Sequence, residues 1–103
     1  MRIPSSFKMM GHTIKVKKIA PEDWKDANES EPCLGIYEAD KQTIRIKGVG
    51  GTLEGHIFYH ELVHAIMTSL GHEFGKEIHN EQIVDSLAGL LHQAMTTAKF
   101  NAD

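Results

Sequence analysis

The hydrophobic period changes once along the chain, at Gly48 to Gly51. Before that point apolar residues recur at every second position, as in strands. After it they recur at every third and fourth, as in helices. Strands first and helices after is the order of an α+β domain, with a helix pair laid on a small, mainly antiparallel sheet of about three to four strands. At 103 residues the chain is one domain, with a strand half over 5–48 and a helical half over 52–100. No internal repeat or low-complexity segment interrupts it.

In the strand half, Ile14 and Val16, and less regularly Ile19, alternate with Lys15 and Lys17. That is a half-buried strand with one charged face. Gly11 allows a tight turn back to an earlier strand around Phe7 to Met9. Pro21 to Pro32 is acidic and reads as a surface connection with a short helical turn near Glu22 to Ala27. Leu34 and Ile36 are expected to meet Ile44 and Ile46 across a hairpin turning near Ala39 to Lys41, with Thr43, Arg45 and Lys47 facing away.

In the helical half, Ile57, Leu62, Ile66 and Leu70, joined by Phe58, Val63 and Met67, form a broad apolar face. Thr52 suits the N-cap and Gly71 the position just past the end. A polar loop over His72 to Lys76 leads to a second helix from about Ile78 to Lys99. Its expected core face is Ile83, Val84, Leu87, Leu90, Leu91 and Met95.

Within the first helix stands His60-Glu61-Leu62-Val63-His64, an H-E-x-x-H motif. Residues four apart on a helix are about 400° apart, so both imidazoles leave one face, one turn apart. They can hold one zinc ion, Zn2+, per chain. Glu61 lies about 100° round the helix, where it need not ligate and can act as a general base. The competing description is a core helix that happens to carry two histidines. The patterned helix around the motif weighs against it.

Zinc enzymes of this kind need a third protein ligand and an open fourth position. Glu81 and Asp85 of the second helix are four apart and share a face. The short connection implies antiparallel helices, which would bring Glu81 to the metal and Asp85 to the far nitrogen of a ligating histidine. The alternative is two exposed acids at a helix start, where the helix dipole favours them anyway.

H-E-x-x-H followed by N-E-x-x-x-D on the next helix resembles the gluzincin metallopeptidases. Strands feeding directly into the motif helix look most similar to the short phage- and mobile-element-encoded peptidases of the ImmA/IrrE group. The resemblance spans Phe58 to Leu91. It implies a zincin-like fold and a zinc metallopeptidase, with His60, His64 and Glu81 as ligands, Glu61 as general base and Asp85 behind a ligand histidine. It supplies no counterpart in these residues for the downstream histidine with which thermolysin-like enzymes stabilise the oxyanion. His56, Tyr59 and Tyr37 are the candidates for that role.

Two other readings stay open. Glu31-Pro32-Cys33-Leu34-Gly35 faintly resembles the cysteine segment of peptide deformylases, in which Cys33 would complete the metal site of an amide hydrolase. The chain could instead be a zinc-containing regulatory or binding module, anti-repressor-like, with little hydrolytic activity. A retained Glu61 favours the enzyme, because a structural zinc site has no use for a base.

Composition narrows the partners. Eleven Lys and Arg against fourteen Asp and Glu give a net charge of −3, without the basic footprint of a nucleic-acid binder. Support for a DNA-associated factor is confined to Lys15, Lys17 and Lys18. The expected partner is a peptide or protein substrate, with no nucleic acid and no membrane, and the oligomeric state is not legible. Cys33 is the lone cysteine and the first residues form no signal-peptide core, so the expected setting is cytoplasmic, that of a bacterial host if phage-encoded. His92 lies three turns beyond Glu81, about 16 Å along the helix and too far to share its ion. His79 is a spare ligand or a loop residue, and His12 and His72 carry no argument.

Overall fold

The structure, a computed structural model, describes residues 3–25, 33–70 and 80–99. Four strands, β1 (Ser6–Met9), β2 (His12–Ile19), β3 (Gly35–Glu38) and β4 (Thr43–Lys47), precede two helices, α1 (Gly51–Leu70) and α2 (Glu81–Thr97). The sheet order is β1-β2-β4-β3. The β1–β2 and β3–β4 pairs are antiparallel, and the central β2–β4 pair is parallel. The architecture is the α+β one that the change of period implied. The expected Gly71, His72 to Lys76 loop and helix start at Ile78 lie outside the described residues, as does most of the acidic connection after Lys25. What is described of that connection opens with a 3-10 turn at Pro21–Asp23.

The β1–β2 hairpin closes through Met10 and Gly11, both at positive φ (54° and 80°), as a tight two-residue turn of matching twist demands. The inner face of the sheet carries Phe7, Ile14, Ile44 and Ile46, which pack with Ile57, Phe58, Tyr59 and Val63 of α1 and with Val84 and Ala88 of α2. Ile44 and Ile46 are fully buried, worth about 1.5–3 kcal/mol each relative to exposure.

Several expectations yield to packing. Across β3–β4, Tyr37 opposes Ile44 and Gly35 opposes Ile46, so Ile36 meets Arg45 on the outer face and Leu34 stays exposed. The register is one residue away from the apolar pairing expected of Leu34 and Ile36. The reason lies in α1. A Cβ built on Gly35 would stand 2.7 Å from Ile57 Cγ2 and 3.0 Å from Glu61 Cγ. Only a glycine lets β3 come this close to the helix, and that contact outweighs the alternation. Gly35→Ala is accordingly expected to cost about 1–3 kcal/mol of stability. A melt unchanged from wild type would show that β3 does not press on α1.

Thr52 does not cap α1. The helix begins at Gly51, with Gly50 and Gly51 at positive φ, and the Glu54 carboxylate accepts the Gly50 N–H at 2.8 Å. Glu54 is buried and also meets Lys18 at 2.9 Å. The Lys18 contact, reinforced by the Gly50 N–H, holds its carboxyl below the ordinary range against the effect of burial. In α2 the inward residues are Val84 and Ala88, with Ile83 and Leu91 partly covered. Leu87, Leu90 and Met95, expected in the core, are exposed, as is Leu70 of α1. The small Ala88 lets the two helices approach closely, which narrows the buried stripe and turns the larger residues outward.

Candidate metal centre

The site is built where α1 runs between the sheet and α2. The Asn80 side chain accepts the Ile83 N–H at 3.0 Å and caps α2, so that Glu81 is its first residue. The helices are antiparallel: residue by residue, His64, His60 and His56 of α1 face Glu81 and Asp85 of α2.

One potential ligand atom from each of His60, Glu61 and His64 lies within 4.8 Å of the others. The two imidazoles are tilted against each other with ring centroids 5.0 Å apart. Glu81 reaches both of them. Its Oε2 is 3.1 Å from His60 Nε2 and its Oε1 is 2.9 Å from His64 Nε2. One turn on, Asp85 Oδ1 lies 3.5 Å from His60 Nδ1 and 3.3 Å from His56 Nε2. The His60 ring therefore has a carboxylate at each nitrogen, Glu81 at Nε2 and Asp85 at Nδ1.

Glu61 lies against β3, its Cγ and Cδ packed on Gly35, with a carboxylate oxygen still within reach of both imidazoles. It is 6% exposed, and its Oε2 is buried without a hydrogen-bond partner among the described residues. Burial, and secondarily the charge of Glu81, pushes its pKa up to about 7. A buried carboxylate oxygen without a partner is costly. The two imidazoles and the Glu61 carboxylate form a group that could hold a metal ion.

Two grooves flank Glu61 along β3. One, of about 260 Å³, is bounded by Cys33, Gly35, His56, His60, Glu61 and Asp85 among others. The second, of about 330 Å³, is bounded by Cys33, Gly35, Tyr37, Glu61 and His64 among others. His56 and Tyr37 thus line opposite ends of the site. Tyr59 does not belong to it. It is buried in the core, edge-on to Phe58 and tilted against His92, because it leaves α1 on the side away from Glu61. His92 lies against Gly55, where a Cβ would come within 2.7 Å of its Nε2. His12 is exposed on β2, and His72 and His79 lie outside the described residues.

Gly35 is the site residue that the sequence reading missed. A glycine opening a strand is a signal of close backbone approach, but nothing local names the partner. The strand Thr43–Lys47 is paired on both sides, so the edge strand next to Glu61 is β3.

Among the described residues no helix is long and apolar enough to cross a membrane. Comparison of the chain with protein-family models, curated proteins and solved structures found no match.

Proposed function

We propose that the protein is a zinc-dependent peptide hydrolase of gluzincin type, in which His60, His64 and Glu81 hold the ion and Glu61 is the general base. The observation that carries this reading is the Glu81 carboxylate, which spans the Nε2 atoms of both motif histidines from the neighbouring helix. Zinc in this place supplies Lewis acidity toward a carbonyl and toward water.

The chain's own groups would do the rest. Glu61 takes the proton of the attacking water on its carboxylate and returns it to the amine nitrogen as the C–N bond breaks. A pKa near 7 suits a group that must accept and release a proton at neutral pH. Asp85 Oδ1, 3.5 Å from His60 Nδ1, favours the tautomer protonated there and leaves Nε2 to face the ion. The edge of β3, unpaired among the described residues, offers backbone N–H and C=O groups to an extended peptide, with the two grooves for its side chains. His56 and Tyr37 are the remaining donors for a developing oxyanion.

The direct test is a digest of a peptide library or denatured protein with zinc-loaded protein, read by mass spectrometry. Zinc-bound protein that cleaves nothing across such a library would favour the binding-module reading.

The placing of Cys33 on both grooves keeps a second ligand set in view, with Cys33 in place of Glu81 as in deformylases. Metal analysis separates the two. Glu81→Ala is expected to lose most bound zinc, while Cys33→Ser retains it. The reverse pattern would transfer the third ligand to Cys33.

A further inference from the structure

The two faces of the sheet carry opposite chemistry. Phe7, Ile14, Ile44 and Ile46 point toward α1. By the strand alternation and the pairing register, Lys8 of β1, Lys15 and Lys17 of β2, and Arg45 and Lys47 of β4 share the other face. Lys18, their neighbour in sequence, does not; it is on the helix side and pairs with Glu54. α1 packs on the inner face and α2 on α1, so neither helix covers the five cations.

They stand close together and, among the described residues, largely unneutralised. Lys8, Lys15 and Lys17 are exposed, and Arg45 and Lys47 half-exposed. Along a strand they are about 6.6 Å apart, and across neighbouring strands about 4.8 Å. Arg45 shares Glu38 with Lys41, while Lys8, Lys15, Lys17 and Lys47 make no ion pair among the described residues. The register even sets Lys17 directly opposite Arg45, a like-charge arrangement that costs stability. The net charge hides this. Residues 51–103 hold seven acids against two lysines, and residues 1–50 hold nine bases against seven acids, five of which fall within 22–31. Within the four strands Glu38 is the sole acid.

We propose that this outer face binds the phosphate backbone of a nucleic-acid duplex, without reading its sequence. The inference does not depend on the metal site. The face is a sheet surface whose shared feature is its positive charge. Counterion release from a dense linear polyanion supplies binding energy without shape complementarity. The strands' own aromatic residues, Phe7 and Tyr37, both lie on the inner face, which favours a duplex over a single strand. The cations form a diagonal band, Lys8 to Lys15 and Lys17 to Arg45 and Lys47, with Glu38 of β3 beside it and Glu22 and Asp23 following β2 in the chain. A line of phosphates can follow the band. A broad anionic bilayer would also press on the acids.

The test is fluorescence anisotropy of a labelled duplex of about 20 base pairs with the full chain, titrated from about 50 to about 200 mM salt. With four or five phosphate contacts, log K is expected to fall with log salt at a slope of about −4, weakening binding roughly 10²-fold over that range. Lys15→Glu with Lys17→Glu is expected to weaken binding at least roughly tenfold and to reduce the slope by about 2. Lys99→Glu, the same kind of charge reversal at the far end of α2, is expected to leave the slope unchanged. Circular dichroism checks the fold, and the Lys15→Gln, Lys17→Gln pair gives the same slope change should charge reversal disturb it. Absence of saturable binding at the lowest salt, or a slope indifferent to both pairs, overturns the proposal. So does binding to phosphatidylserine vesicles or polyglutamate in preference to the duplex.

Discussion

Glu61→Gln is expected to lose peptide hydrolysis by about 10²–10⁴-fold while keeping both the metal and the fold. The amide has nearly the shape of the carboxyl and still forms hydrogen bonds, but it cannot take a proton from water at neutral pH. Retention of the fold follows from the state of Glu61 in the wild type. Its pKa is raised from 4.5 to about 7, mainly by burial. A carboxyl whose folded pKa stands above its unfolded value costs stability as pH rises from the lower figure through the higher one. The neutral amide escapes that cost, so at neutral pH the metal-free variant should melt no lower than metal-free wild type. The measurements are zinc content, a thermal melt and the rate of cleavage of a substrate found in the library digest. A variant that cleaves as fast as wild type would remove Glu61 from the chemistry.

The His60→Ala, His64→Ala double variant should behave in the opposite way and lose zinc, activity and metal-dependent stability together. An ion that binds only the folded chain stabilises it by about 4 kcal/mol when present at a thousandfold excess over its Kd. For a domain of this length that corresponds to a rise in Tm of roughly 15 °C or more. Chelator should therefore lower the wild-type Tm by that order and leave the double variant unmoved. Full zinc occupancy in the double variant would place the ion elsewhere, and a wild-type melt indifferent to chelator would uncouple the site from folding.

The legible parts of the fold were those set by near neighbours in the chain. The α+β order follows from the single change of period at Gly48 to Gly51. The pairing of His60 with His64 follows from the four-residue spacing. The short connection implied antiparallel helices, and His64 does face Glu81 while His60 faces Asp85. Tyr59 illustrates the limit. Its place one residue before the motif suggested the site, yet it turns into the core beside Phe58 and His92. On a helix buried on nearly every side, neighbouring residues face different surroundings, and sequence does not say what lies against each.

What the sequence by itself determined was the class of the fold, the helix that carries His60, Glu61 and His64, and the carboxylates of α2 that could approach them. These depend on spacings of three and four residues within one element, where backbone geometry leaves little choice. Only the tertiary structure decided the rest. It made β3, and not β4, the edge beside Glu61, and pressed Gly35 onto α1, burying there a carboxylate oxygen without a hydrogen-bond partner among the described residues. It also sent Lys18 to Glu54 while gathering Lys8, Lys15, Lys17, Arg45 and Lys47 on the opposite face. Strand order and register arise from contacts between residues far apart in the chain. A one-residue shift exchanges the two faces of a strand, so the local pattern cannot choose between them until the helix packs.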